Sequence, residues 1–452
     1  MLFHTPEFAL LLFITAMGFA LTSGEARLWV LLGASLVFYS FSGPFDTMLF
    51  AGVLVVVYFM SLRLAKEKSL PILIFTLIIM FGNLALFKYG DFFLLRRPTL
   101  WLPLGISFYT FQLAAYVIDI YRGTILPERK FVTFAVFITF FGQLVAGPIM
   151  RAQDFLPQLR RRLAPLYADV RAGAFLIGRG LIKKVVIADR LAVLVDERFY
   201  QGATLSHAAT WVALYFFAFQ VYFDFSGYTD MGIGLGRLFG LKLSPNFSTP
   251  YLAANVAEFW RRWHITLSTW LRDYLYIPLG GNRGTSFRRN LNLFITMLLG
   301  GLWHGAAWTF VLWGAFQGMW LVLYRMWGDF ALRRSQPLAL PHIVSVLLTF
   351  HVQCLSYVFF RSVTMESAVA MWWQALDFSQ LASWEPQLPY LAIVGLLFAL
   401  HVVERYLDER HQALLQRWQE VPAWLRGLAY AAVVFMLILS FRPAEPFIYF
   451  RF

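Results

Sequence analysis

Hydrophobic positions along this 452-residue chain fall in long unbroken runs separated by short polar breaks. The runs lie near 8–22, 28–42, 45–62, 70–88, 100–120, 131–150, 207–225, 291–324, 342–360, 388–403 and 424–441. A helix of ~20 apolar residues crosses the ~30 Å hydrocarbon core of a bilayer. The pattern therefore predicts an all-α, polytopic integral membrane protein with about ten or eleven transmembrane helices plus interfacial or re-entrant helices. The polar intervals are too short to bury a second core, so residues 1–452 read as a single membrane-embedded domain. No internal repeat of fixed period is visible, which argues against a transporter built from duplicated halves.

Two segments depart from a plain span. Leu291 to Tyr324 holds 34 residues without Asp, Glu, Lys or Arg. As one straight helix it would reach about 51 Å, far beyond the core thickness, so it must break, tilt steeply or turn back. Gly300-Gly301 is the expected break, with His304 just after it. Gly301/Gly305 and Gly314/Gly318, spaced four apart, would let neighbouring backbones approach closely. The second segment is Asn255 to Tyr276. There Val256, Phe259, Trp260, Trp263, Leu267, Trp270, Leu271 and Tyr274 recur at helical spacing, opposite Glu258, Arg261, Arg262, Thr269, Arg272 and Asp273. This predicts an amphipathic helix in the membrane interface or lining a polar cavity. Asn255 and Glu258 are spaced as in a capping box, and His264 falls at the edge of the stripe, one turn before Ser268.

Composition fixes the solvent. Residues are 59% hydrophobic and 14% charged, against roughly 25% charged in a soluble domain, which excludes an ordinary soluble enzyme, a disordered regulator and a DNA-binding module. The net charge of +13 is unevenly placed. Arg151 to Arg198 holds ten Lys/Arg against five acids, and Arg237 to Arg289 holds eight against two. Basic clusters between apolar spans suggest cytoplasmic loops, suited to anionic lipid headgroups or an anionic soluble substrate. No recognition module accompanies the charge, so nucleic acid is not expected as a partner. The single Cys354 excludes an internal disulfide and reads as core packing. No Lys or Arg precedes Arg27, so the first apolar stretch lacks the basic start of a cleavable signal and is expected to remain as a membrane helix.

Ionisable side chains inside apolar runs are costly and usually face a cavity or a partner. His304, in Gly300-Gly301-Leu302-Trp303-His304-Gly305-Ala306, is the sharpest case. A buried, unpaired imidazole there would stay neutral and able to accept a proton; a packed histidine bonded to a carbonyl is the alternative. His264 is a second candidate, with headgroup anchoring as its alternative. His351 and His401 lie in apolar surroundings without an evident polar constellation and read as structural. The two histidines forty residues apart, with no nearby carboxylate or thiolate spacing, do not make a metal site. Ser226 lacks the strand-turn-helix setting of a nucleophile elbow. Asp224 and Asp230 sit where an apolar run ends, as helix caps or as polar pore lining. Gly232, Gly234 and Gly236 lack a βαβ context and fit close helix packing better.

The stretch Glu258-Phe259-Trp260-Arg261-Arg262-Trp263-His264-Ile265-Thr266-Leu267-Ser268-Thr269-Trp270-Leu271-Arg272-Asp273-Tyr274, followed by Ile277-Pro278-Leu279-Gly280-Gly281-Asn282-Arg283, resembles the membrane-bound O-acyltransferase family, and within it the bacterial alginate O-acetylation branch. Leu302-Trp303-His304-Gly305-Ala306 is similar to that family's histidine motif. Further resemblances are Asp224 to Tyr228, Pro103 to Gln112, Ala146 to Ile149 and the tail Pro446 to Phe450, with the motif-bearing core at about 100–325. The resemblance implies a helical fold around a central funnel or tunnel in the bacterial cytoplasmic (inner) membrane. His304 would correspond to the essential histidine and His264 to the second motif position. It also implies acetyl transfer from cytoplasmic acetyl-CoA to a hydroxyl beyond the membrane. The acceptor would be an exported or cell-wall polysaccharide such as alginate, cellulose or peptidoglycan, often with a periplasmic or extracellular acyltransferase partner.

Moving an acyl group from a thioester to an alcohol requires removal of the hydroxyl proton and stabilisation of an oxyanion. His304 is the candidate base; His264, Trp303 or a backbone N–H near Gly300-Gly301 are candidate oxyanion donors. Arg261, Arg262, Arg283, Arg288 and Arg289 are candidate contacts for coenzyme A phosphates, or simply membrane anchors. Asp224, Trp303 and Ser268 are candidate pore-lining or structural residues. Acetyl-CoA is expected as a substrate, with no permanently bound cofactor. A transporter or flippase without covalent chemistry, and a non-enzymatic subunit of an export complex, are the competing functions.

Overall fold

The computed structural model describes residues 1–94, 102–145, 147–161, 163–201, 204–331, 340–440 and 447–448. Every regular element among them is helical. The chain begins with α1 (Pro6–Leu21), α2 (Ala26–Ser40), α3 (Pro44–Glu67), α4 (Leu70–Leu94), α5 (Ile106–Arg122), α6 (Phe131–Thr139), α7 (Phe141–Leu144), α8 (Ala152–Arg160) and α9 (Tyr167–Leu181). A π-helical turn (Ile182–Ala188) leads from α9 into α10 (Asp189–Gln201), and α11 (His207–Leu238) follows. Next come the short α12 (Val256–Arg262) and α13 (Ile265–Leu271), a second π-helical turn (Arg272–Tyr276), α14 (Ser286–His304) and α15 (Trp308–Ala331). The chain closes with α16 (His342–Arg361), α17 (Met365–Leu376), α18 (Leu388–Glu409), α19 (His411–Glu420) and α20 (Ala423–Ser440).

Among the described residues, six helices are long and apolar enough to cross a membrane: α3, α4, α11, α16, α18 and α20. Two further apolar helices, α1 and α2, are 16 and 15 residues long, which is below the ~20 residues of an untilted span. The run at 131–150 contains α6 and α7, which meet at Phe140, where ψ is 115°.

The described chain divides into two compact units. One comprises Met1–Leu181, Phe225–Pro245 and Pro446–Phe452, the other Ile182–Asp224 and Asn246–Glu445. In the first, the glycines of α11 act as contact points. A Cβ on Gly234 would lie 2.7 Å from the carbonyl of Gly173, and one on Gly232 would meet the carbonyl of Gly142. Gly232 and Gly234 therefore serve close helix packing, while Gly236 makes room for the chain that follows α11, at the Leu241 carbonyl and the Leu243 side chain. Buried Asp230 forms a two-bonded pair with Arg179, at 2.9 Å to Nε and 2.7 Å to Nη2. From the C-terminal motif, Phe447 packs on Tyr228 at 4.6 Å and on Phe225 at 5.4 Å; Pro446, Tyr449 and Phe450 lie outside the described residues, as does Ala146.

Asp224 and Asp230 do not end a helix. The apolar run beginning near Trp211 continues as α11 through to Leu238, so both aspartates sit within it and are neutralised laterally. Asp224 does so in the second unit, with Lys184 at 2.8 Å, and Lys184 also reaches Asp189 at 2.8 Å.

In the second unit the 34-residue charge-free run is broken, but not where the glycine pair suggested. Gly300 and Gly301 stay helical, and the chain turns at Gly305–Ala307. The reason is packing. A Cβ on Gly314 would lie 2.6 Å from the carbonyl of Met297 and 2.9 Å from the Cα of Gly301, so α14 and α15 touch backbone to backbone there. Gly305 is extended, at φ −166°, and the Phe310 ring occupies the place a Cβ would take. Gly314→Val is expected to destabilise the purified protein by at least ~1–3 kcal/mol, the usual cost of overpacking. Gly328→Ala, whose Cβ meets nothing within 4 Å, should be neutral or slightly stabilising. Comparing their thermal unfolding in detergent checks this, and equal behaviour would refute the close-contact reading.

Candidate active site

All of the following geometry lies within the second unit. The stripe predicted over Asn255 to Tyr276 is buried from Val256 through Leu271, but it is not carried by one helix. Asn255 caps α12 as expected, its side chain accepting from the Glu258 N–H at 2.8 Å, while Glu258 Oε2 accepts from the Ala254 N–H at 2.8 Å. The helix then stops at Trp263-His264. The Ser248 N–H donates to the Arg262 carbonyl at 3.0 Å, and the Ile265 N–H donates to the Asn246 carbonyl at 2.9 Å. Residues 246–248 thus take over backbone bonds that a continuous helix would have used. His264 itself adopts φ 40°, ψ 56°, a left-handed conformation that costs a non-glycine residue of order 1–3 kcal/mol and tends to collect at functional sites.

That kink positions the imidazole. His264 is fully buried, and burial pushes its pKa down to about 3. Its Nδ1 lies 3.1 Å from Asn246 Oδ1. Its ring lies 6.2 Å from that of Trp303. On the other side of the sequence, His304 is the last residue of α14 and is 4% exposed. Its ring meets Trp303 at 4.9 Å, Trp313 at 4.9 Å and Phe360 at 5.1 Å, each in an edge-on arrangement. The two histidines named from sequence therefore share Trp303 as a common neighbour. The Trp313 and Phe360 rings, 5.2 Å apart, complete an aromatic wall around His304 that sequence reasoning did not find.

The remaining candidates separate. Ser268 donates its hydroxyl to the Trp263 carbonyl at 3.1 Å and so serves the kink. Arg262 is engaged by Glu258 at 2.5 Å. Arg261, Arg283 and Arg288 are exposed, and half-buried Arg289 donates to the Ser286 hydroxyl at 2.8 Å. Cys354 is fully buried, as core packing requires. His351 bonds to the Tyr215 hydroxyl at 2.9 Å and to the Leu347 carbonyl at 2.7 Å.

His401 departs from its sequence reading, since a polar constellation does accompany it. The Tyr251 N–H donates to His401 Nε2 at 3.3 Å, and His401 Nδ1 lies 3.4 Å from Glu404 Oε2. Glu404 also accepts from the Tyr222 hydroxyl at 2.6 Å and pairs with Lys183. His401 and Glu404, spaced three apart in an apolar helix, were the available signal; their partners lie far away in the chain.

The chain can be placed among known proteins on the same residues. The family described as "MBOAT, membrane-bound O-acyltransferase family" matches residues 128–359, a stretch containing both histidines. A "Probable alginate O-acetylase AlgI" of Pseudomonas aeruginosa is 37% identical, covering 90% of this chain and 83% of the relative. A "Peptidoglycan O-acetyltransferase" of Helicobacter pylori is also 37% identical, over 82% of this chain and 78% of the relative. A "Teichoic acid D-alanyltransferase" of Streptococcus thermophilus is 30% identical over 50% of this chain and 57% of the relative. The relatives are named for different acyl groups and different polymers, and what their names share is acyl transfer. With its apolar helices and a match across half its length, this chain is a member of the membrane-bound O-acyltransferase family and an O-acyltransferase of the membrane.

Proposed function

We propose that the whole chain, residues 1–452, works as one acyltransferase domain in the bacterial inner membrane, taking an acetyl group from cytoplasmic acetyl-CoA and delivering it for O-acetylation of an exported or cell-wall polysaccharide. The observation that carries this reading is the pair of buried histidines, His264 and His304, gathered about Trp303. In this reading His304 takes the proton of the accepting hydroxyl as its oxygen attacks the thioester carbonyl. The tetrahedral intermediate then collapses, expelling the coenzyme A thiolate, which regains a proton from the imidazolium. His304 ends α14, where the negative end of the helix dipole stabilises positive charge gained in that step. The aromatic wall keeps water from the thioester and strengthens the polar contacts it surrounds. Arg261 and Arg283, exposed, can meet coenzyme A phosphates directly, whereas Arg262 would first have to release Glu258.

Recognition of a sugar polymer needs a shaped surface with several placed polar groups, and the polar intervals of this chain are short and largely basic. We therefore assign choice of the acceptor to a separate periplasmic or extracellular acyltransferase that receives the acetyl group. The test is the purified chain in liposomes, with labelled acetyl-CoA on one side and polysaccharide on the other. The expected result is little coenzyme A released and little polymer acetylated by the chain alone, and both rising together, dependent on His304, once a partner whose hydroxyl receives the acetyl group is added. Efficient, site-selective acetylation by the chain alone would remove the partner from the scheme. No covalent transfer under any condition would favour a transporter.

A further inference from the structure

Asn246 supplies one oxygen to three neighbours. Its Oδ1 lies 3.2 Å from the Thr266 backbone nitrogen, 2.9 Å from the Thr266 hydroxyl and 3.1 Å from His264 Nδ1. A backbone N–H can only donate, so the atom it meets must be the amide oxygen and the orientation of the amide is settled. An oxygen that only accepts then requires a proton on His264 Nδ1. Asn246 is 1% exposed, and its backbone carbonyl also holds the Ile265 N–H at 2.9 Å. The same residue therefore builds the kink that carries His264 and contacts the His264 ring.

We propose that Asn246 is a positioning residue: it locks the proton of neutral His264 on Nδ1 and leaves Nε2 as the nitrogen that accepts. This rests on the reading of His264 as part of the acyl-transfer site and adds its direction. A neutral imidazole so held presents a lone pair at Nε2, suited to accept a hydrogen bond from a hydroxyl or thiol. It does not offer Nε2–H to an oxyanion. Burial, which holds the ring neutral, works in the same direction. The wrong tautomer at a catalytic histidine is costly in other enzymes, about 10⁴-fold where a carboxylate orienter becomes an amide.

The experiment reads the tautomer directly. Full-length protein with ¹⁵N-labelled histidine is placed in lipid, and the His264 signals are assigned by difference from His264→Gln. The native protein should show Nδ1 protonated and Nε2 bare. Asn246→Leu should move the proton to Nε2 or mix the two forms, and slow acyl transfer by about 10²-fold. Asn246→Asp, which keeps an oxygen acceptor, should retain the proton on Nδ1 and transfer faster than the Leu variant. A native His264 protonated on Nε2 overturns the proposal, as does an Asn246→Leu protein that still holds the proton on Nδ1. The native spectrum decides even if the Leu variant fails to fold. Because the tautomer is read without turnover, failure of this proposal is separable from failure of the acetyl-transfer reading.

Discussion

His304→Gln, purified in full-length form, is expected to lose acyl transfer by about 10²-fold to 10⁴-fold, the range over which a positioned general base contributes. Gln is the informative substitution because it fills much of the imidazole's volume and keeps hydrogen-bonding capacity, yet cannot take up a proton. His304→Ala should be at least as inactive, but it also leaves a gap against Trp313 and Phe360, which sit 4.9 Å and 5.1 Å from the ring. That gap carries a stability cost of its own. Expression, monodispersity and thermal unfolding should therefore be near normal for Gln and somewhat lowered for Ala, while both are inactive. Hydrolysis of labelled acetyl-CoA should be followed alongside transfer, since a base that activates an alcohol can also activate water. Turnover of the Gln variant close to that of the native protein would sink the assignment of His304 as the base and leave it a packing residue.

The apolar runs, the glycine spacings and the apolar setting of both histidines were legible, because each depends on neighbours within a few positions. Helical periodicity marked the buried stripe from Val256 to Leu271 correctly even though the helix beneath it is broken. The break was illegible because its cause lies upstream: Asn246 and Ser248 capture backbone groups of Ile265 and Arg262. A helical wheel treats each helix as if its backbone bonds were its own, so it put His264 at the edge of a helical stripe when it belongs to a left-handed corner. Gly300-Gly301 misled for a related reason. Of the pair that looks like a hinge in isolation, Gly301 lets the α14 and α15 backbones meet, while a Cβ on Gly300 would meet only the Leu271 side chain. Phe360, 56 positions beyond His304, could not be paired with it from spacing, since aromatic residues are too numerous here for any one to stand out.

Lys183 and Glu404 show the same limit with larger energetic stakes. They are 221 positions apart and form a buried pair, with side chains 7% and 10% exposed. Removing one partner of such a pair strands the other charge and typically costs 3–5 kcal/mol, whereas replacing both by apolar groups is often close to neutral. Glu404→Ala should therefore be the most destabilising single change in this cluster, lowering expression and the temperature of unfolding in detergent. The double variant Lys183→Met/Glu404→Leu should recover part of that loss. Recovery should remain incomplete, because Glu404 also accepts from the Tyr222 hydroxyl at 2.6 Å and faces His401 Nδ1 at 3.4 Å. Each buried donor left without its acceptor costs about 1–3 kcal/mol. Adding Tyr222→Phe to the double variant removes one of those donors and should raise stability again. If Glu404→Ala unfolds at the native temperature, or the double variant is no more stable than the single, the pair does not hold this unit together. The order expected is native, triple, double, single, and it follows from counting which buried polar groups retain a partner in each variant.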